Sequence, residues 1–264
     1  MTKNMEDLRV SIVQTDLHWE NPAANLEMYN DKLKSLAGKT DLIVLPEMFA
    51  TGFSMKPEAF AEKPEDSKAV KWLMKTSSDL QCCITGSLII QENEKYFNRL
   101  FWVDKGTVVG SYDKRHLFTL AGEEKHYSAG NHHLMVELKG WKVLPLICYD
   151  LRFPVWSRNT IDYDLVIYVA NWPERRSYPW SQLLRARAIE NMAYVVGLNR
   201  VGYDGNEVFH SGDSAVINAV GEVVLEFEKG AETTSTQELS IEHLRQTRKK
   251  FGFLNDRDSF TIHR

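Results

Sequence analysis

Several short runs of this chain consist entirely of apolar residues, and they limit its fold more than any other feature. The clearest are 42–45, 143–147 and 165–170. Strands that read as continuous apolar runs are buried on both faces, as in sheets that helices cover. Segments with helical features, such as 21–37 and 180–192, lie between these runs. Alternating strands and helices, followed by hairpins, predict an α/β fold with a mixed sheet between helical layers.

The rest of the chain extends this pattern without a break. Further strands are predicted at 9–14, 81–91, 97–104, 107–113, 134–138, 194–199, 214–218 and 222–227, and further helices at 58–80, from Pro154 and at 241–250. No internal repeat or Pro/Gly-rich linker marks a boundary. We therefore expect residues 1–264 to form one domain, which is within the size range of a large α/β unit.

Composition and charge exclude two classes of partner. A hydrophobic content of 43% in 264 residues is enough for a sizeable core, and a formal net charge of -4 gives no electrostatic footprint for nucleic acid. Residues 1–10 carry charges without a long apolar run, and no stretch is long enough to span a bilayer. A cytoplasmic protein without membrane or nucleic-acid partners is expected.

The three cysteines occupy two kinds of position. Cys82 and Cys83 are neighbours in a predicted strand, so their side chains face opposite ways and fill the core. Cys148 ends the apolar run 143–147 and begins a polar turn. A thiol there, with the next backbone N–H aimed the same way, has the parts for nucleophilic attack on a carbonyl carbon. The alternative is a small buried hydrophobe, which is what most free cysteines are.

Two charged residues also follow predicted strands. Glu47 comes after the run 42–45. A carboxylate at this end of a strand points into the crevice in which α/β sheets bind ligands. Such a carboxylate can act as a general base. Lys114 follows the strand 107–113 and can stabilise an oxyanion or hold Cys148 as a thiolate. Alone, each is equally well a solvated or ion-paired surface group. Together with Cys148 they form a constellation of complementary chemistry.

At these residues the chain resembles a known family. The segments 45–48 (LPEM), 113–118 (DKRHLF) and 146–154 (LICYDLRFP) are similar, in this order, to the three signature blocks of the nitrilase, or carbon–nitrogen hydrolase, superfamily. The opening strand at 10–15 and the block 170–173 match as well. The resemblance covers nearly the whole chain and implies the family's four-layer α-β-β-α sandwich.

The resemblance also implies roles for individual residues. Glu47 would be the general base, Lys114 the oxyanion-stabilising lysine and Cys148 a nucleophile that forms a thioester intermediate. The backbone N–H of Tyr149 would complete the oxyanion site. A second glutamate is implied at Glu123, with its neighbour Glu124 as the alternative. No metal or organic cofactor is required by this chemistry.

Within the superfamily, the segments 171–176, 183–191 and 199–206 resemble the omega-amidase branch. Such enzymes hydrolyse the terminal amide of 2-oxo-acid amides such as 2-oxoglutaramate. The far carboxylate of that substrate needs a cation, and Arg175 or Arg176 would supply it. The resemblance thus implies a small-molecule amide substrate, with Tyr127 and Trp172 as walls of its pocket. The arginines can equally be a surface loop anchored by ion pairs.

Other interpretations of the sequence stay open. An N-carbamoyl amino acid or aliphatic amide hydrolase, a nitrilase and a non-catalytic scaffold are the alternative functions. A second set of alternatives concerns the histidines: His116 in a dyad with Cys148, and a metal site at His126, His132 and His133. We expect a structural His116 and a solvated loop instead, because the family base is the glutamate and no acid or thiol lies at ligand spacing. The resemblance further implies a homodimer through the helices near Pro154 and Trp180. The tail 251–264 mixes aromatic and charged residues, which fits either packing along the partner subunit or a disordered end.

Overall fold

The computed structural model describes residues 5–263. In chain order the strands are β1 (Leu8–Gln14), β2 (Leu42–Val44), β3 (Cys83–Glu92), β4 (Lys95–Asp104), β5 (Thr107–Asp113), β6 (Val136–Leu138), β7 (Trp141–Ile147), β8 (Leu165–Ala170), β9 (Tyr194–Asn199), β10 (Val201–Tyr203), β11 (Phe209–Ser211), β12 (Ala215–Ile217), β13 (Val223–Glu226) and β14 (Thr233–Leu239). The α-helices are α1 (Pro22–Leu33), α2 (Pro57–Phe60), α3 (Lys68–Leu80), α4 (Pro154–Ser157), α5 (Ser177–Asn191) and α6 (Ile241–Phe251).

The strands form two large mixed sheets and one small hairpin. One six-stranded sheet has the order β14-β1-β2-β3-β4-β5, and the other has the order β13-β12-β9-β8-β7-β6. The central strands β1, β2 and β3 are parallel, as are β7, β8 and β9, whereas the flanking strands pair antiparallel. The strands β10 and β11 form a separate hairpin. This is the mixed α/β architecture that the sequence predicted.

The two sheets share one core and carry helices on their outer faces. Apolar side chains from both sheets, such as Trp102 and Val143, meet in a single buried cluster. Helix α3 packs on β3 and β4, and α5 packs on β9 and β12. Cys83 faces the core between the sheets, while Cys82 faces the cluster beneath α1 and α3. The prediction that these cysteines fill the core on opposite faces is confirmed.

Two predicted helices differ from the observed ones for identifiable reasons. Asn21 caps α1 as expected, by accepting a hydrogen bond from the N–H of Ala24, and a 3₁₀ turn over Lys34–Leu36 ends the segment. The region 58–80 holds two helices instead of one. Between them, the backbone of Glu62 pairs with the strand that contains Ile90. Pairing with a strand requires extended backbone, which interrupts the helix.

Strand β14 was not predicted because its sequence carries a weak apolar signal. The segment TTSTQEL is half exposed and pairs antiparallel with β1 at the edge of the first sheet. Its Thr236 hydroxyl lies 2.7 Å from that of Ser11. The strand is therefore specified by its distant partner more than by its own residues.

Over residues 5–263, no helix combines the length and the apolar character needed to cross a membrane.

The contact between α5 and β9 predicts a cost for adding a single methyl group. A Cβ at Gly197 would lie 2.4 Å from Leu184 Cδ1 and 3.1 Å from Trp180 Cζ2, and both side chains are fully buried. We expect Gly197→Ala to lower the free energy of unfolding by about 1–3 kcal/mol, measured by chemical denaturation.

The control for this substitution is Gly110→Ala. A Cβ at Gly110 would approach the end of the half-buried Leu134 side chain, which has room to move. Its loss of stability should be smaller. Equal losses at the two positions would contradict the packing explanation.

Candidate active site

Polar side chains gather where strands of both sheets end. Glu47 follows β2, Lys114 follows β5, Cys148 follows β7 and Asn171 follows β8. Lys114, Cys148 and Asn171 line one cavity of about 340 Å³. The fold therefore brings together side chains that are far apart in the sequence, because each strand delivers its last residues to the same crevice.

The Glu47 carboxylate is fully buried and held by three donors. Lys114 Nζ and Asn98 Nδ2 each lie 2.8 Å from Oε1, and the backbone N–H of Asn171 donates to Oε2 at 2.9 Å. The side chain of Asn171 also donates to the backbone carbonyl of Glu47 at 2.5 Å. These contacts fix the buried carboxylate in one orientation.

Lys114 lies between two carboxylates. Its Nζ is 2.8 Å from Glu47 and 2.9 Å from Glu123 Oε2, and all three side chains are fully buried. Burial acts to lower the pKa of Lys114, but the charges of Glu123 and Glu47 outweigh it and raise the pKa above its ordinary value. The lysine is therefore a permanent cation.

Glu123 is the acid that reaches the lysine, and its neighbour Glu124 is exposed. Burial raises the pKa of Glu123, although Lys114 opposes the shift. The backbone N–H of Phe118 donates to its Oε2 at 2.5 Å. The geometry thus distinguishes two adjacent glutamates that the sequence left as alternatives.

A glycine holds the lysine segment close to the loop that follows it. The N–H of Gly130 donates to the carbonyl of Lys114 at 2.9 Å. A Cβ at this position would lie 2.2 Å from the carbonyl oxygen of Asp113, which real Cβ atoms never approach so closely. Close backbone approach is therefore the physical reason for a glycine at the end of the segment 127–130.

Cys148 has an unusual backbone conformation and a thiol with a raised pKa. Its φ of 43° lies in the left-handed region, where it begins a 3₁₀ turn over Cys148–Arg152. Burial raises the pKa of the thiol well above its usual value, and the charge of Glu47 raises it further. Lys114 lowers the pKa but does not offset these effects, since two carboxylates already neutralise the lysine. Lys114 therefore favours the thiolate, as the sequence predicted, but burial and Glu47 oppose it.

The other residues predicted from sequence divide into two groups. Tyr149, Trp172, Arg175 and Arg176 line the cavity together with Cys148. Tyr127 is buried outside the lining, where it packs with Met48 and Ile89 and its hydroxyl donates to the carbonyl of Ser54 at 2.6 Å.

Some residues of the site were not predicted. Asn98 lies inside β4 and donates to Glu47, and no motif in its segment marks it. Arg152 lines the cavity and lies over the Trp172 ring, 4.8 Å from its centroid. Its position one turn after Cys148 was a signal that could have found it. His210, from the hairpin of β10 and β11, also lines the cavity, and burial lowers its pKa to about 4.

His116 and His133 have structural contacts. His116 Nδ1 lies 2.8 Å from Asp150 Oδ1, and its ring stacks on Phe153 with centroids 3.7 Å apart. His133 contacts the carbonyl of Trp156, while His126 and His132 are exposed. Within the described part of the chain, no group of three or more His, Cys, Asp or Glu side chains is arranged to hold a metal ion.

Comparison with known proteins identifies the family. A model of the carbon-nitrogen hydrolase family matches residues 9–249, which is most of the chain. The chain belongs to this family. It is a hydrolase that acts on non-peptide carbon–nitrogen bonds, and its amidohydrolase activity is supported by the named relatives that follow.

Those relatives include two amidases and one solved structure. Omega-amidase YafV of Escherichia coli (strain K12) is 46% identical over 258 residues, which are 98% of this chain and 100% of the relative. The 2-oxoglutaramate amidase of Bacillus subtilis (strain 168) is 33% identical over 82% of this chain and 85% of its own length. XC1258 from Xanthomonas campestris, a CN-hydrolase superfamily protein with an arsenic adduct in its active site, superposes with a TM-score of 0.95. It is 43% identical and covers 98% of this chain and 100% of that chain.

The charges around Cys148 predict how its thiol titrates. In Glu47→Gln one negative charge is lost and Lys114 is less neutralised, so both changes favour the thiolate. We expect the midpoint of thiolate absorbance near 240 nm to move to lower pH. The Cys148→Ala protein supplies the baseline.

The matched control is Glu124→Gln, which removes a charge from an exposed neighbour of the site and should leave the midpoint unchanged. A thiolate signal that is already complete at neutral pH in the unsubstituted protein would contradict the charge balance described above.

Proposed function

We propose that this amidohydrolase cleaves the terminal amide of small dicarboxylic 2-oxo-acid amides, such as 2-oxoglutaramate, to the acid and ammonia. The observation that carries the proposal is the cavity beside Cys148. Three arginines line it, Arg152, Arg175 and Arg176, and none of them forms an ion pair with any described residue. Unpaired cations in the same cavity as a nucleophile favour a substrate with a carboxylate at its far end.

The proposed chemistry begins with proton transfer. Glu47 takes the thiol proton as Cys148 attacks the amide carbon, which forms the carbon–sulfur bond and places negative charge on the amide oxygen. Lys114 and the backbone N–H of Tyr149 stabilise that oxyanion. The proton then passes from Glu47 to the leaving nitrogen, and ammonia departs to leave a thioester.

The second half of the reaction reverses these roles. Water attacks the thioester while Glu47 accepts its proton, and the same two donors stabilise the second oxyanion. Collapse of this intermediate releases the carboxylic acid and returns the proton to the thiol. In both halves Glu123 keeps Lys114 in place as a charged group, because its carboxylate contacts the ammonium at 2.9 and 3.1 Å.

The arginines differ in how they are held. Arg176 is half-buried over the Phe118 ring at 5.1 Å, and Arg152 is half-buried over Trp172 at 4.8 Å. Burial and the neighbouring Arg175 and Arg152 lower the pKa of Arg176. A bound carboxylate would relieve this crowding of cations, and the stacked guanidinium groups present their donors in fixed planes. Arg175 is exposed and better placed to attract the substrate than to orient it.

The cavity favours a 2-oxo acid over the corresponding amino acid. Asp204 is the acid in the described lining, and its Oδ1 accepts the backbone N–H groups of Asn206 and Val208. Three arginines of the described lining outnumber this one carboxylate, so an ammonium group on the substrate would add to an excess of positive charge. A neutral 2-oxo group avoids that repulsion.

Further properties are part of the same proposal. We infer that the described elements act as one catalytic unit, because β14 near the end of the chain pairs with β1 near its start. A cytoplasmic location fits the three free cysteines.

A homodimer is proposed through α4 and α5, which expose Val155, Tyr178 and Ile189 by 55%, 75% and 55%. Light scattering should give twice the chain mass of 30.4 kDa. A monomer at micromolar concentration would contradict this assembly.

The first test of the activity is ammonia release from 2-oxoglutaramate. We expect Cys148→Ala to fall below about one thousandth of the unsubstituted rate, because Cys148 is the thiol in the described lining of the cavity. The control is Cys82→Ala, whose thiol is buried in the helix-side core and should be dispensable. Release that persists in Cys148→Ala would place the chemistry elsewhere. No release by the unsubstituted protein would direct the search to carbamoyl compounds and simple amides.

The arginines predict a change in KM for charged substrates alone. We expect Arg176→Ala and Arg152→Ala each to raise KM for 2-oxoglutaramate by about 10- to 100-fold, which is the range for losing a charged hydrogen bond. Uncharged amides of similar size should be affected much less. Arg245→Ala, on the exposed face of α6, is the control. Equal losses with charged and uncharged amides would show that the arginines do not bind the carboxylate.

A further inference from the structure

Asp150 is a fully buried carboxylate that the proposed chemistry does not use. Its Oδ2 accepts the backbone N–H of Ile147 at 3.1 Å and the hydroxyl of Tyr112 at 2.7 Å. Its Oδ1 accepts the backbone N–H of His116 at 3.0 Å and lies 2.8 Å from His116 Nδ1. Both oxygens are thus occupied by groups from two separate segments of the chain.

The positions of these donors along the sequence are informative. Tyr112 lies two residues before Lys114, and His116 lies two residues after it. Ile147 directly precedes Cys148. A single carboxylate therefore binds both sides of the lysine segment and the residue next to the thiol.

The turn that carries the thiol has a strained backbone conformation that hydrogen bonds must stabilise. Cys148 has a φ of 43°, which costs a non-glycine residue free energy unless its surroundings enforce it. Arg187 donates to the carbonyl of Leu151 at 2.7 Å and restrains the far end of the turn. At its near end, Asp150 is the group that accepts the N–H of Ile147.

We propose that Asp150 is a positioning residue that sets the separation between the Cys148 thiol and the Lys114 ammonium. It acts through His116, Tyr112 and Ile147 and touches neither substrate nor reacting atoms. The effect of such a residue is on the alignment of the attacking and oxyanion-binding groups, where misplacement by about 1 Å can cost about 100-fold in rate. The inference rests on the proposed roles of Cys148 and Lys114.

The test is Asp150→Asn in the full chain. The amide keeps the size of the side chain but presents an NH₂ group to two of the donors, so it cannot accept all four hydrogen bonds. We expect kcat to fall about 10- to 100-fold while KM changes less than about threefold. Stoichiometric alkylation of Cys148 by iodoacetamide should slow as well, since the thiol moves relative to Glu47.

Asp164→Asn is the matched control. Asp164 is also a buried carboxylate, which accepts the N–H of Lys142 at 2.9 Å and pairs with Arg248 at 2.6 Å, away from the cavity. This variant should lose stability but keep kcat within about threefold. If both variants lose kcat equally at equal loss of thermal stability, Asp150 is only a structural carboxylate and the proposal is wrong.

Variants of His116 keep the proposal testable if Asp150→Asn does not fold. In His116→Asn the side-chain NH₂ can donate in place of Nδ1–H, so we expect it to keep more kcat than His116→Ala. Identical losses in these two variants would contradict the proposal. The alkylation assay needs no substrate, so it tests positioning even if 2-oxoglutaramate proves not to be hydrolysed. Failure of the proposed substrate and failure of the positioning role are therefore distinguishable.

Discussion

The site depends on one interaction, the contact of the fully buried Lys114 ammonium with the fully buried carboxylates of Glu47 and Glu123. Removing three charges from water is costly, and replacing such a group with apolar side chains often stabilises a protein. Its presence is therefore better explained by chemistry than by stability. The remaining polar contacts, from Asn98 and from the backbone of Asn171 and Phe118, satisfy the carboxylates and keep them in place.

The position of each site residue in the fold decides whether the sequence predicts it. Glu47 and Cys148 follow apolar runs that stop at polar residues, and Lys114 follows a strand that the sequence predicts as half of a hairpin. The parallel centres of both sheets then bring such ends to one crevice. Asn98 lies inside a strand, and only its partner across 51 residues of sequence gives it a function. Tyr127 occupies a motif position, yet its hydroxyl turns toward Ser54 and away from the cavity.

The same distinction applies to the fold. Helix caps such as Asn21 and buried strands such as β8 are specified by local residues, and the sequence predicts them well. Strand β14 and the hairpin of β10 and β11 are specified by distant contacts. The hairpin is held by Arg200, which is fully buried and pairs with Asp16 at the end of β1. Because this hairpin supplies one wall of the cavity through His210, the sequence alone could not define the shape of the substrate site.

In the proposed mechanism, the charge balance also explains why the thiol and the lysine act one after the other. With Glu47 and Glu123 both ionised around Lys114, the group carries one excess negative charge, and a thiolate at Cys148 would add a second. Transfer of the thiol proton to Glu47 moves the negative charge to sulfur and then to the substrate oxygen without adding any. Protonation of Glu47 would also weaken its contact with the ammonium, because a neutral carboxyl group is a poorer acceptor than a carboxylate, so Lys114 can turn to the oxyanion as it forms. Glu123 stays as the fixed partner, which is why a site of this kind needs two carboxylates for one lysine.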